Sequence, residues 1–319
     1  MKFLIAFLFA VALSACSTIP GRERVFSFAL IGDQQYDQRE ELLFPQLLGA
    51  INETDVKFVV HVGDFKAGSN VLCTDELYVA RHAELNTSRH PLIYLPGDND
   101  WVDCRRPTNG PFVPLERLDK LRALFFAKPE SLGKNPIALM QQSRAFAGDP
   151  VLSRYVENTM WIHGGIVFVT VNVQGSNDNR GFDAANDAEQ IERTVANLKW
   201  LDTAIEKAHT LHARGIAVFL QANPGFEDKT VLGAKSGFKT FIEGFDQRAR
   251  AYGKPILFAH GDTHQFRVDQ PYVSPASRTP IANVTRVETW GSPNVDWVRV
   301  SVQDDSVLFH IESGRFSAR

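Results

Sequence analysis

Four β-rich apolar runs in this sequence each stop at the dipeptide Gly-Asp. They read VFSFALIGD (25–33), VKFVVHVGD (56–64), PLIYLPGD (91–98) and PILFAHGD (255–262). Helix-like stretches separate the first three, and alternating strands and helices predict parallel strands joined by right-handed crossovers. A continuously apolar run is typical of a parallel strand that is buried on both faces. The pattern therefore predicts an α/β fold with an aspartate at the carboxyl end of each run: Asp33, Asp64, Asp98 and Asp262.

This edge of an open α/β sheet is where ligands bind. One Asp after a Gly is weak evidence, because Asp is a common turn residue. Four of them at one edge would repel each other strongly unless cations neutralise their charge. The four carboxylates therefore predict a metal site.

The remainder of the chain predicts further strands and helices. Residues 161–173 read as a strand pair, residues 215–223 as a buried strand, and the carboxyl end as several strands, expected to be antiparallel. The strongest helix spans residues 184–212, where a shared face is expected for Ile191, Val195, Leu198, Ile205 and Ala208. No Ser/Gly/Pro-rich linker divides residues 25–319, so these residues are expected to form one domain.

The first residues, MKFLIAFLFAVALSAC, are typical of an export signal. Lys2 precedes an apolar run that is too short to span a bilayer as a helix. The ending LSAC resembles a bacterial lipobox, which implies a signal peptide of residues 1–15, a lipid on Cys16 and a tether over residues 16–24. The alternative is an ordinary signal peptide with a chance cysteine. Ser17, and not Asp, follows Cys16, which resembles lipoproteins that are sorted to the outer membrane. We therefore expect an outer-membrane anchor facing the periplasm.

The charge of the chain excludes one class of function. A formal net charge of −3 argues against a nucleic-acid binder that relies on phosphate neutralisation.

Beyond Cys16 the cysteines are Cys73 and Cys104, and exported chains are found in compartments where disulfides persist. We expect one disulfide between them; two buried thiols are the alternative.

The order of these motifs resembles the calcineurin-like metallophosphoesterase superfamily. That family has, in sequence, D-x-H, G-D, G-N-H-[DE], a lone His and G-H-x-H. This chain has Asp33-Gln34-Gln35, Gly63-Asp64, Gly97-Asp98-Asn99-Asp100, Asn223 after a strand, and Gly261-Asp262-Thr263-His264. The block PGDNDWVDC also resembles a bacterial subgroup that reads PGDNEWxDC. The resemblance implies a four-layer α/β sandwich of two mixed sheets flanked by helices.

The resemblance also implies two divalent metal ions and hydrolysis of a phosphate monoester or diester. Position by position, the first ion would be held by Asp33, Gln35, Asp64 and His264. The second would be held by Asp64, Asp98, Asn223 and Asp262. Carboxylates and amides replace several of the family's imidazoles, and oxygen ligands favour Mg²⁺, Mn²⁺ or Ca²⁺ over Zn²⁺.

Asn99 stands where the family has the histidine that protonates the leaving group, with Asp100 in the place of its orienting acid. Asn has no titratable proton near neutral pH, and general acid catalysis is worth about 10²–10⁴-fold. Three explanations stay open. The substrate has a leaving group that needs no proton, another residue such as His260 or His163 donates it, or the protein binds metal and phosphate without turnover.

Four further side chains are candidates for substrate binding. Arg105 and Arg106 follow the third motif, and Arg suits bidentate phosphate contacts. Asn172 and Asn177 flank a strand end and are placed to line a pocket. A solvated charge pair and ordinary turn chemistry are the alternatives.

Lipid on Cys16 is directly testable. Intact mass spectrometry of the mature protein from its membrane fraction should show a chain that begins at Cys16 and carries acyl groups. A mature chain that lacks Cys16 would contradict the lipobox assignment.

Overall fold

The structure is a computed structural model that describes residues 23–226, 233–271 and 279–316. The predicted signal peptide, Cys16 and most of the tether lie outside the described residues. Within those ranges, no helix combines the length and apolarity needed to cross a bilayer.

Twelve strands and seven α-helices are assigned in the described ranges. The strands are β1 (Phe26–Ile31), β2 (Val59–His61), β3 (Leu92–Tyr94), β4 (Met140–Gln141), β5 (Thr159–His163), β6 (Ile166–Thr170), β7 (Gly215–Phe219), β8 (Ile256–His260), β9 (Arg267–Asp269), β10 (Val284–Glu288), β11 (Trp297–Val302) and β12 (Phe309–Gly314). The helices are α1 (Gln38–Asn52), α2 (Asp75–Leu85), α3 (Pro114–Phe125), α4 (Gln142–Ala145), α5 (Gly175–Asp178), α6 (Ala184–Thr210) and α7 (Lys239–Tyr252).

The strands form two mixed sheets. One has five strands in the order β12-β11-β1-β2-β3, and the other has seven in the order β4-β5-β6-β7-β8-β10-β9. β1, β2 and β3 are parallel, as the alternation of strands and helices predicted. β6, β7, β8 and β10 are also parallel. The carboxyl-terminal strands are antiparallel, as expected, apart from β10, which runs parallel to β8.

The sheets pack face to face, and helices cover both outer faces. On β1, Phe28 and Leu30 enter the core between the sheets, whereas Ala29 and Ile31 pack in the cluster with α1–α3. Strand β7 alternates in the same way, with Phe219 between the sheets and Val218 packed with α6 and α7. Because both faces are buried, these strands are continuously apolar. The predicted four-layer α/β sandwich is confirmed.

Helix α6 confirms the predicted long helix, and the second half of its predicted face, with Leu198, Ile205 and Ala208, packs on the core. Ile191 and Val195 are exposed, which departs from that face. The first half of the helix instead buries Gln190, Arg193 and Asn197. The polar face points inward because Arg193 is fully buried and pairs with Asp178, at the end of α5.

The predicted disulfide is present between Cys73 and Cys104. Both cysteines are fully buried, and the bond ties the segment after β2 to the loop that carries the third Gly-Asp motif. It closes a loop with a sequence separation of 31 residues. On the chain-entropy account, such a loop contributes about 3–4 kcal/mol to the free energy of unfolding.

Loss of this disulfide should therefore be measurable in solution. The Cys73→Ala/Cys104→Ala variant is expected to lose about 3 kcal/mol in urea unfolding, because its unfolded chain has more freedom. Wild-type protein reduced in denaturant serves as the control and should refold to the same lower stability. Equal stability of the oxidised and reduced forms would contradict this role.

Candidate functional site

The four predicted aspartates meet at one edge of the sandwich. The backbone N–H of Asp262 donates to Oδ1 of Asp33 at 3.0 Å. Nε2 of Gln221, just beyond β7, donates to Asp64 Oδ2 at 3.1 Å and lies 3.5 Å from Asp262 Oδ1. A carboxylate oxygen of Asp98 and one of Asp262 both lie against Gly175. Strands from both sheets therefore bring the carboxylates into one cluster.

Two glycines of the Gly-Asp motifs, Gly97 and Gly261, make room for aspartates of neighbouring motifs. A Cβ on Gly97 would lie 2.0 Å from Asp64 Oδ1, and a Cβ on Gly261 would lie 1.9 Å from Asp33 Oδ2. Neither distance is tolerable for carbon and oxygen. These two motifs need glycine because a carboxylate from another strand occupies the space that a side chain would fill.

Unusual backbone conformations concentrate at the same place. Asp33, Gln35, Asp64, Asp262 and His264 all have positive φ. Such values are uncommon outside glycine, and they persist only where the surrounding structure imposes them. Helix α5 continues this feature: it is a single left-handed turn in which residues 176–179 have φ between 48° and 66°.

The electrostatics of the cluster are unfavourable without a cation. Asp33, Asp64 and Asp98 are buried, and burial together with the neighbouring carboxylates raises the pKa of each well above its usual value. Burial raises the pKa of the partly exposed Asp262 to about 6. Bound positive charge would remove this penalty.

The donor set of the cluster fits a hard divalent cation. Oδ2 of Asp33, Oδ1 of Asp98 and Oε1 of Gln35 are buried and accept no hydrogen bond from the described residues. Nε2 of Gln35 donates to Glu84 at 2.8 Å, which fixes its amide. Nδ1 of His264 donates to the carbonyl oxygen of Ser292 at 2.9 Å, leaving Nε2 as the acceptor, 3.8 Å from Asp33 Oδ1. A histidine held this way is a typical metal ligand.

The side chains of the cluster are not drawn together around one point. In the described ranges, no group of three or more His, Cys, Asp or Glu side chains is arranged to hold a metal ion. The cluster does supply unpaired oxygen acceptors, including the amide oxygen of Gln35, and negative charge.

The third motif is held by Asp100. Its carboxylate accepts from the N–H groups of Asp64, Phe65 and Gly97 and from the hydroxyl of Tyr94, at 2.8–3.0 Å. These contacts fasten the second and third motifs together. The sequence predicts that Asp100 orients the side chain of Asn99, but the hydrogen bonds of its carboxylate are to these backbone N–H groups and to Tyr94.

Asn99 instead contacts Tyr36, a residue that the sequence analysis did not identify. Nδ2 of Asn99 donates to the Tyr36 hydroxyl at 2.8 Å, and that hydroxyl donates to Asp64 Oδ2 at 3.0 Å. Burial, reinforced by nearby carboxylates, raises the pKa of Tyr36 well above its usual value. Asn99, which stands where the family has its general acid, is therefore linked through the Tyr36 hydroxyl to the carboxylate of Asp64.

Asn223 departs from its predicted role as a side-chain ligand. Its Nδ2 donates to Thr263 Oγ1 at 3.2 Å and its Oδ1 accepts from the N–H of Gly225 at 3.0 Å. Only its backbone N–H reaches the cluster, at Asp262. Gln221, two residues earlier, is the side chain that lies between carboxylates. Both follow the same strand, and no motif marks which of the two faces inward.

Arg105 and Arg106 both pair with Asp103, which is buried. Nη1 of Arg105 lies 3.1 Å from Asp103 Oδ1, and Nη2 of Arg106 lies 2.6 Å from Oδ2. Ser176 Oγ donates to Asp103 Oδ1 at 2.7 Å, and Gly175 before it lies against carboxylate oxygens of Asp98 and Asp262. Asp103 therefore joins the two guanidinium groups to the turn that borders the carboxylate cluster. Substrate binding by these arginines stays a prediction.

The two candidate asparagines have structural contacts. Asn172 is buried and donates to Glu157 Oε1 at 2.9 Å. Asn177 stabilises the left-handed turn. Its Nδ2 donates to the carbonyl oxygens of Arg180 and Lys235, and its Oδ1 accepts from the N–H of Gly237. These contacts do not leave either amide directed at a ligand, which departs from the predicted pocket lining.

The two candidate histidines also differ from expectation. His260 is fully buried in β8, and its Nδ1 lies 2.8 Å from the carbonyl oxygen of Gly261. His163 ends β5, which is antiparallel to β6, so it lies at the opposite edge and packs on Phe26. Neither is exposed at the cluster as a proton donor.

The pH dependence of stability tests the charge of the cluster. Because the pKa of Asp262 is higher in the folded than in the unfolded chain, its stabilising contribution is present at low pH and is lost as pH rises through about 6. In EDTA at pH 7.5, Asp262→Asn should therefore exceed wild type by about 3 kcal/mol in urea unfolding. At pH 4 the advantage should be small. An advantage independent of pH would contradict the assignment.

Comparisons with known proteins address the fold. No family model and no curated protein sequence matches the chain. The structure of PhoD is similar, with a TM-score of 0.55 and 13% identity over 92% of this chain and 69% of that one. The phosphopantetheinyl hydrolase PptH from Mycobacterium tuberculosis has 12% identity and a TM-score of 0.37 over 84% of this chain and 90% of that one. The similarity to PhoD shows the fold alone, which is the calcineurin-like α/β sandwich.

Proposed function

We propose that this protein hydrolyses a phosphate ester with divalent metal ions held at the carboxyl ends of its strands. The observation that carries the proposal is the convergence of Asp33, Asp64, Asp98 and Asp262 at one edge of the sandwich. Three of them, Asp33, Asp64 and Asp262, have positive φ, a backbone conformation that costs energy. A cluster of like charges that the fold builds at such cost needs a cation to offset it.

Asp33, Gln35, Asp64, Asp98, Asp262 and His264 would hold the metal, with Asp64 proposed to be shared between two ions. Bound divalent cations supply charge neutralisation, polarisation of a phosphoryl group and a more acidic water molecule. The protein's own groups fix this arrangement. Gln221 spaces Asp64 from Asp262, and Asp100 holds the second and third motifs in register.

A binding protein of the same fold without turnover is the second candidate. It is favoured by Asn99, which occupies the general-acid position with a group that has no titratable proton. On either candidate we also propose, from the sequence alone, that the protein is anchored to the outer membrane through lipid on Cys16. The membrane contact would then be the lipid only.

Metal affinity of three variants tests the shared role of Asp64. By calorimetry with Mn²⁺, Asp64→Asn should weaken binding by more than about 100-fold, and Gln35→Ala by about tenfold, because only Asp64 serves both ions. Asp202→Asn, an exposed acid paired with Arg248, is the control and should bind as wild type does. Equal and small losses in Asp64→Asn and Gln35→Ala would overturn the two-metal assignment.

Hydrolysis separates the two candidate functions. The soluble domain, loaded with Mn²⁺ or Mg²⁺, should cleave 4-nitrophenyl phosphate or bis(4-nitrophenyl) phosphate, and EDTA or Asp64→Asn should abolish cleavage. Metal binding in the absence of cleavage of any ester would favour the binding protein.

A further inference from the structure

Arg106 lies beside the amide that occupies the general-acid position. A Cβ on Gly68 would lie 2.4 Å from Asn99 Oδ1 and 3.1 Å from Arg106 Nη1, so the amide and the guanidinium border the same small space. Nη1 of Arg106 also donates to the carbonyl oxygen of Gly68 at 2.6 Å. The place where a proton donor is expected therefore has a permanent positive charge at its side.

Arg106 is held in place but retains donors for a ligand. Asp103 pairs with its Nη2, and Gly68 accepts from its Nη1. Guanidinium has five N–H groups, and the side chain of Arg106 is 41% exposed. Asp103 is 2% exposed and accepts from Ser176, whose neighbour Gly175 lies against Asp98, so Arg106 is joined to the turn that borders the carboxylate cluster.

A guanidinium and a general acid help different leaving groups. An alcohol leaves as a strongly basic alkoxide and needs a proton. A nitrophenolate spreads its charge into a ring and needs neither. A phosphate leaves as an anion whose conjugate acid has a pKa of about 6, and its oxygens fit the N–H groups of Arg. An arginine beside an asparagine fits the last of these classes.

We propose that the preferred substrate is a diphosphate, whose leaving group is a second phosphate bound by Arg106. This inference rests on the proposed hydrolase function and names its substrate class. The oxygen of a water molecule bonds to one phosphorus, and the bond from that phosphorus to the bridging oxygen breaks. The electron pair stays on the bridging oxygen, which leaves with the second phosphate. One hydrogen of the water stays on the new hydroxyl, and the other is released to solvent as a proton.

Arg105 supports this arrangement from the outer side. Its guanidinium carbon lies 3.3 Å from the ring centroid of Phe182, and its Nη1 shares Asp103 with Arg106. The ring of Phe182 therefore stacks on Arg105, and Arg105 and Arg106 together carry one positive charge more than the carboxylate of Asp103 that they share. This excess places positive charge beside Asn99, where an anionic leaving group would lie.

Two substrate series with a constant transferred group test the proposal. The first is 4-nitrophenyl phosphate, ADP and methyl phosphate; the second is the 4-nitrophenyl ester of thymidine monophosphate, thymidine diphosphate glucose and the methyl ester of thymidine monophosphate. In whichever series is cleaved, the diphosphate should exceed the methyl ester by at least about 10²-fold in kcat/KM. Arg106→Ala should lower kcat/KM for the diphosphate by about 10²-fold and for the nitrophenyl ester by less than about threefold.

Arg250→Ala is the matched control. Arg250 is 43% exposed, pairs with Asp246 and approaches a carbonyl oxygen, much as Arg106 does, but it lies on α7. It should behave as wild type in every assay. Arg106→Lys retains a charge for Asp103 and separates loss of the guanidinium from misfolding; it should keep the wild-type melting temperature and show most of the loss on the diphosphate.

Binding supplies a readout that does not depend on turnover. In Mg²⁺, wild type should bind methylenediphosphonate at least about tenfold more tightly than methylphosphonate, and Arg106→Ala should lose that preference. Equal losses on the diphosphate and the nitrophenyl ester would place Arg106 at the transferred group and overturn the proposal. If no substrate is cleaved, the hydrolase function fails; unchanged diphosphonate binding in Arg106→Ala would then overturn the role of Arg106 separately.

Discussion

Repulsion among carboxylates is the constraint on which the rest of this structure depends. Three buried aspartates and the partly exposed Asp262 meet where parallel strands of two sheets end. The glycines at 97 and 261, the positive φ values of Asp33, Asp64 and Asp262, and the hydrogen bonds that Asp100 accepts all accompany the close approach of like charges. A stable fold alone does not need this arrangement, which is the ground for the proposed cation.

Support for the cluster extends into parts of the molecule that look unrelated in sequence. The left-handed turn over residues 176–179 brings Gly175 against Asp98 and Asp262. Arg193, fully buried on α6, holds that turn through Asp178. This ion pair explains why α6 faces inward with polar residues and leaves Ile191 and Val195 exposed. The helix buries a polar network because the turn above it needs partners for its backbone and charge.

The contacts of Asn99 also explain the absence of a histidine at the position of the family's general acid. The side chain of Asn99 donates to the Tyr36 hydroxyl and its backbone N–H donates to Asp64 Oδ1, so Asn99 fits its position without a titratable proton. Arg106 lies beside Asn99, and on the inference above its positive charge stabilises the negative charge of a leaving group that receives no proton. A substitution that looks like loss of function in the motif is, in three dimensions, accompanied by an arginine that suits a different leaving group.

The sequence by itself determined the layers of the fold, the parallel core strands, the disulfide and the convergence of Asp33, Asp64, Asp98 and Asp262. These follow from local patterns, because strand and helix periodicity, glycine before aspartate and cysteine content are all readable in short windows. Tertiary structure decided which side chains contact each other. Five features depend on side chains that are far apart in the chain: Gln221 rather than Asn223 in the cluster, the contact of Tyr36 with Asn99, the hydrogen bonds that Asp100 accepts, the burial of His260 and the inward face of α6. Such contacts are set by packing between elements, and no local pattern encodes which of two neighbouring side chains meets a residue from another strand.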